Sequence, residues 1–276
     1  MKLFAHCQRA ADVLSTGPWI GLREGALKVR LVSIVVAAGA LLAAAVSGAS
    51  AQTEAEFVNA FAGDWQIHDS SYSRNGQRCQ FNLMSEPEEG RYKLENKSCG
   101  GAFEQVTRWG IVDGQMIFVA GTDVVATLGG NQRRMTGATS AGEPVILDRA
   151  GARGGATQLQ SAYQSAGCYY LGFSDSCAAE TELSKPSAAE GQPARINVLV
   201  NLNVRAEARE DANVVGVVPM NSCVVTEVCA TAADGVWCRA QFGERTGWLR
   251  KLALRQNRWP IVTFVNQCPP QEGAGG

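Results

Sequence analysis

From Asp64 to Arg149 the chain alternates short apolar runs with turn residues: Trp65–Ile67, Cys79–Leu83, Tyr92–Leu94, Val106–Val112, Met116–Val119, Asp123–Leu128, Arg133–Met135 and Val145–Leu147. Period-two alternation places the apolar side chains of a strand on one face. Asn75-Gly76, Asp113-Gly114 and Gly129-Gly130-Asn131 fall between the runs, and such residues accept the backbone angles of tight hairpins. Eight runs in about 90 residues predict an eight-stranded antiparallel β-barrel. A second set, Asn197–Arg205, Val214–Val218, Cys223–Cys229, Val236–Phe242 and Thr246–Leu249, predicts a second β module. Helical periodicity is weak, and only Thr53 to Phe61 reads as a turn or two of helix, with Thr53 and Glu56 spaced as a capping box. The expected class is all-β.

Residues 150–195 differ in composition. Gly, Ala, Ser, Gln and Pro dominate, with "ARGGATQ" near one end and "KPSAAEGQPA" at the other, which is linker chemistry that leaves the two modules loosely coupled. Within it, "CYYLGFSDSC" reads as a loop stapled by Cys168 and Cys177. Its Tyr169, Tyr170 and Phe173 either pack against the first module or form a contact surface of their own.

The N-terminus has another pattern. Leu31 to Val46 is apolar but for one serine, preceded by Arg23, Lys28 and Arg30 and followed by Ala49-Ser50-Ala51. A basic flank, an apolar stretch too short for a comfortable membrane span and a small-residue cleavage site predict a secretory signal peptide over residues 1–51. Its removal takes away five basic and two acidic residues, leaving 20 basic, 24 acidic and a net charge of −4. Cys7 also goes, so eight cysteines remain. An even number in an exported chain implies four disulfides, although eight cysteines allow 105 pairings. No cysteine stands at the cleavage site for lipid attachment, so the expected location is the periplasm or the medium, with no membrane span after cleavage.

Catalysis finds little support. The chain after Ala51 holds a single histidine, His68, which follows the first predicted strand and reads as a surface or edge-strand residue, so a hydrolase triad has no base. The cysteine gaps do not match zinc-site spacing, and the Gly-Gly pairs precede no strand-to-helix phosphate loop. No enzyme, cofactor, metal or nucleic-acid partner is expected. One patch stands out, Arg239 to Arg258, where arginines interleave with Phe242, Trp248 and Trp259. Arg245, Trp248, Arg250 and Arg255 are its candidate envelope-binding residues, the other reading being a barrel exterior with Trp248 in the core.

Two resemblances follow. "LNVRAEAREDANVVGVVP" at 202–219 and "GVWCRAQFGERTGWLRKLAL" at 235–254 resemble the opening and closing strands of bacterial Src-homology-3-like domains. These are small β-barrels that bind cell-wall peptide or proteins, which implies such a domain over 196–268 and a disordered tail over 269–276. Cys229 and Cys238 then lie on adjacent strands as a hairpin pair, leaving Cys223 to tie the C-terminal extension through Cys268.

"FAGDW" at 61–65, Cys79 in "RCQFNL", Cys99 in "NKSCGG", Trp109 in "TRWGI" and the strand Val145–Leu147 resemble, in order and spacing, the bacterial inhibitors of serralysin-type zinc metalloproteases. The resemblance implies an eight-stranded barrel over 52–149 with one disulfide, Cys79 to Cys99. It also implies a free N-terminal segment, here Gln52, Thr53, Glu54 and Ala55, that enters the protease cleft near the zinc, with Gly63, Trp65 and Trp109 anchoring the barrel. The expected function is an exported metalloprotease inhibitor with a second domain for envelope or protein binding; the alternative is a periplasmic adaptor that binds peptidoglycan or an envelope protein through the second domain without inhibiting.

Overall fold

The computed structural model describes residues 53–152, 155–188 and 192–269. The expected signal peptide, Gln52 and residues 270–276 of the expected tail lie outside the described residues. A short helix, α1 (Glu54–Phe61), leads into eight strands: β1 (Gly63–Ile67), β2 (Cys79–Glu88), β3 (Arg91–Lys97), β4 (Arg108–Val112), β5 (Gln115–Ala120), β6 (Asp123–Gly130), β7 (Arg134–Thr139) and β8 (Pro144–Arg149). They pair in sequence order, and β8 returns to β1, closing an antiparallel barrel. The turn chemistry is the expected one: Asp113 and Gly114 both take positive φ, 50° and 74°, between β4 and β5. Trp65, Phe81, Trp109, Phe118 and Leu147 fill the barrel from the inward positions of their strands.

Strand β8 breaks the simple alternation, because Val145, Ile146, Leu147 and Asp148 are all buried. Val145 and Leu147 join the barrel interior, whereas Ile146 packs with Ala208, Ala230, Ala232 and Trp237 of the C-terminal half. The outer wall of the barrel at β8 is therefore a second buried surface. The described residues belong to one compact unit, so the two modules are joined by packing and are not loosely coupled.

The C-terminal half contains α2 (Gly155–Ala166) and β9 (Tyr170–Leu171), then β10 (Arg195–Val198), β11 (Leu202–Arg205), β12 (Val214–Val218), β13 (Cys223–Ala232), β14 (Gly235–Phe242) and β15 (Arg245–Arg250). It ends with β16 (Leu252–Arg255), β17 (Trp259–Val262) and β18 (Phe264–Val265). One seven-stranded sheet runs β12-β11-β15-β14-β13-β10-β18 and stays open at both edges; a three-stranded sheet runs β16-β17-β9, with β9 parallel to β17. The run Asn197–Arg205 is two strands rather than one, since the Leu199 amide turns away to donate to Thr263 O at 2.8 Å. The segment 150–195 is more than a linker. Helix α2 presents a single fully buried side chain, Leu159, which clusters with Leu252 and Val262 beside Tyr169, Leu171 and Leu183.

All four disulfides form: Cys79–Cys99, Cys168–Cys177, Cys223–Cys268 and Cys229–Cys238. Cys79–Cys99 links the start of β2 to the loop after β3 across a sequence separation of 20. Replacing both cysteines by alanine is expected to lower the unfolding free energy by about 3 kcal/mol, the loop-closure value for that separation. Urea unfolding of the double variant beside the parent checks it, and an unchanged midpoint rejects it.

Candidate functional site

At the N-terminal end, the segment expected to be free is folded. Thr53 caps α1, its hydroxyl accepting from the Glu56 amide at 3.3 Å while the Thr53 amide donates to Glu56 Oε2 at 2.9 Å. Val58 and Phe61 are buried in the barrel cluster, and Tyr92 Oη donates to Glu54 Oε1 at 2.9 Å. That hydrogen bond is the main reason the Tyr92 phenol is raised above its ordinary value. Thr53, Glu54 and Ala55 thus form the capped first turn of a helix and are not an extended free segment, which corrects the expectation for those three residues.

The far end of α1 is clamped. Trp65 Nε1 donates to Phe61 O at 2.8 Å, and the Arg149 guanidinium lies 5.0 Å over the Trp65 ring. From there Arg149 donates to Phe61 O at 3.1 Å and Ala62 O at 2.8 Å, satisfying carbonyls that a helix C-terminus leaves open and placing positive charge at the negative end of its dipole. Gly63 sits at φ 112°, and a Cβ there would come within 3.4 Å of Arg149 Nη2. Gly63 and Trp65 therefore belong to one clamp. Trp109 sits elsewhere in the same barrel core, its Nε1 donating to Met84 O at 2.9 Å and its ring against Tyr92.

The four candidate envelope-binding residues do not form one surface. Arg245 donates to Val215 O at 2.9 Å and lies 5.2 Å over Phe242. Trp248 packs on the cluster between the modules, and Arg250 approaches Asp234 Oδ2 at 3.1 Å and Glu210 Oε1 at 3.3 Å. Arg245, which is exposed, and Arg255, half-buried and 5.9 Å over the Phe173 ring, have no carboxylate partner among the described residues. Strand alternation explains the split, because Trp248 and Arg250 share the face of β15 that meets the barrel.

Where the modules meet lies a charged cluster that the sequence pattern does not reveal. Arg134 of β7 donates through Nε to Asp148 Oδ1 at 2.6 Å, through Nη2 to Asp234 Oδ1 at 2.7 Å and through Nη1 to Ala208 O at 3.1 Å. Asp148 Oδ2 accepts the Ala233 amide at 2.8 Å, and Asp234 also accepts from Trp237 Nε1 at 3.0 Å. Nearby, Asp69 takes Lys185 Nζ at 3.0 Å and the Thr231 amide at 2.9 Å. Arg250 Nε is close to Asp234 but poorly aligned for a hydrogen bond, so its contribution there is charge alone.

Burial by itself raises the Asp234 carboxyl, but the charges of Arg134 and Arg250 outweigh it and hold the group below its ordinary value. Asp69 behaves alike, burial being overcome by Lys185 and by the Thr231 and Ser71 amides. Contrary to the surface reading, His68 has a side chain only 14% exposed; burial lowers it, with Asp148 at 3.9 Å opposing only in part. A cleft of about 250 Å³ borders the cluster, lined by Asn131, Arg133, Arg134, Asp148, Glu210 and Asp234. Its carboxylates are held by arginine, Asp148 and Asp234 by Arg134 and Glu210 by Arg250, so the arrangement clamps the two modules together. Among the described residues no group of His, Cys, Asp and Glu could hold a metal ion, and no helix is long and apolar enough to cross a membrane. Comparison with known proteins finds no family model and no curated protein that matches this chain.

Two outcomes are expected. Asp234→Ala leaves Arg134 and Arg250 without their shared carboxylate and costs about 3–5 kcal/mol, as loss of one partner from a buried ion pair does; chemical denaturation measures it, and a cost under about 1 kcal/mol, typical of exposed pairs, refutes it. The second concerns pH. His68, Asp69 and Asp234 all titrate lower folded than unfolded, so the stability they contribute is present above their ordinary values and is lost as pH falls through the folded ones. Thermal midpoints should decline first below pH 6.5, the ordinary His68 value, and again below 3.8, the ordinary aspartate value. His68→Gln should remove the first decline alone.

Proposed function

We propose that this chain is an exported protein inhibitor of zinc metalloendopeptidases, acting through the stretch that leads into Thr53. The observation that carries the reading is the α1 clamp: a disulfide-bearing closed barrel fixes α1 through Trp65, Arg149 and Gly63, so whatever precedes Thr53 is delivered from a rigid end. A segment presented from such a base loses less conformational freedom on entering a protease cleft than a free peptide does. Because Thr53, Glu54 and Ala55 are spent on the helix cap, the inserting end is Gln52, the first residue of the expected exported chain, and four disulfides suit a protein that works among proteases outside the cytoplasm.

A second reading, a non-inhibitory adaptor, is favoured by the C-terminal sheet. Its strands β11 to β15 lie in the order expected for a Src-homology-3-like barrel opened between β12 and β13, and a groove of about 600 Å³ occupies that seam beside Val217, Val224, Phe242 and Arg245. Val217 is 53% exposed and Met220 47%, an apolar edge suited to an extended peptide of peptidoglycan or an envelope protein.

A serralysin-type protease assayed with the exported protein separates the two. Inhibition that disappears when the chain is shortened to start at Thr53, with the thermal midpoint kept, supports the inhibitor. Failure of the untrimmed exported protein to slow the protease removes it.

A further inference from the structure

The loop closed by Cys168–Cys177 meets the end of the β16–β17 hairpin, where Phe173 and Arg258 are exposed and Arg255 and Trp259 are half-buried. Arg255 and Trp259 are cross-strand partners, so their side chains leave the same side of the small sheet. Tyr170 on β9 is in register with Ile261, two residues beyond Trp259, and its ring meets the Trp259 ring edge-on at 6.1 Å. On this face Arg255 lies 5.9 Å over Phe173 and Arg258 lies 4.6 Å over Trp259. The Arg258 amide donates to Arg255 O at 3.1 Å, but neither guanidinium has a carboxylate or hydrogen-bond partner among the described residues, and Asp175, two residues from Phe173, pairs with neither. Most other arginines in the described residues that reach an aromatic ring also hold a carboxylate or a carbonyl, as Arg134, Arg149, Arg245 and Arg250 do.

Phe173 is 61% exposed, yet its backbone is fixed. Gly172 takes φ 56° with its amide bonded to Val262 O at 3.0 Å, and a Cβ there would fall 2.9 Å from the Leu199 Cβ. Ser174 returns both its amide, at 3.0 Å, and its hydroxyl, at 2.9 Å, to Leu171 O inside the nine-residue disulfide separation. An apolar ring held in water by a braced loop pays no ordering cost when something covers it.

We propose that this face docks an acidic peptide segment of a partner protein, two carboxylates being taken by Arg255 and Arg258 and an apolar side chain between them by Phe173. A guanidinium held near a ring without a hydrogen-bond partner keeps its N–H donors free for a carboxylate fork. The open ring decides the class of partner: Trp259 is already covered by Arg258 and Tyr170, which leaves a phenyl face suited to hydrocarbon rather than an indole platform for a sugar. This surface is independent of the α1 end, and its test does not depend on inhibition.

The test is fluorescence anisotropy of a labelled peptide of alternating glutamate and leucine, titrated with the exported protein. Saturable binding is expected, weakened by salt and weakened about tenfold in each of Arg255→Ser, Arg258→Ser and Phe173→Ser, the loss of one charged hydrogen bond or apolar contact. Unchanged thermal midpoints show that the variants fold. The inference is overturned if the peptide does not bind, if a glutamine-leucine peptide binds as well, if the three variants bind like the parent, or if polygalacturonate binds through the same arginines and the peptide does not.

Discussion

Arg134 holds a carboxylate from each module, Asp148 of the barrel and Asp234 of the C-terminal sheet, and the relative placement of everything else follows from that bridge. Taking three charges out of water is costly, and the attraction between them recovers the cost only when every donor and acceptor is matched. Here each of the three Arg134 nitrogens has a partner, Nη1 donating to Ala208 O, while Asp148 takes a backbone amide and Asp234 takes the Trp237 indole. The driving force for contact comes from Ile146 and Trp237 beside it, while the ion cluster selects the one orientation in which no charge is stranded.

The same logic operates at the other end of the barrel on a smaller scale. Arg149 finishes β8, stacks on Trp65 and closes the carbonyl end of α1, so one arginine joins strand, indole and helix. With the helix cap at Thr53 fixed as well, α1 behaves as part of the barrel wall rather than as a leader. Under the proposed inhibitor reading, contact with a protease falls to the chain that leads into Thr53, and the barrel contributes stiffness.

The first module was legible because its turns carry Asn-Gly and Asp-Gly pairs and its strands are short apolar runs between them, alternating as in β2 though not in β5 or β8, so eight runs become eight strands. The α1 capping box was visible too, since Thr53 and Glu56 stand at a spacing only a helix start uses. What escaped depends on distance in sequence. Arg134 and Asp234 are 100 residues apart, and nothing local marks either as buried. Helix α2 was hidden for the opposite reason: with Gly, Ala, Ser and Gln around one leucine, its apolar stripe has a single full member, and the neighbouring module supplies the rest of the packing. The basic patch of 239–258 misled because strand alternation sends consecutive arginines to different faces, one into the junction and others to solvent.

Strand β8 carries the broadest consequence. With Ile146 and Asp148 turned outward into the C-terminal half and Val145 and Leu147 turned inward, a chain ended after Arg149 would present Ile146 to water and leave Asp148 without the Ala233 amide, held by Arg134 alone. The apparent frontier between two sequence modules is thus no natural point of excision, and a substitution on either side of it is felt by both halves.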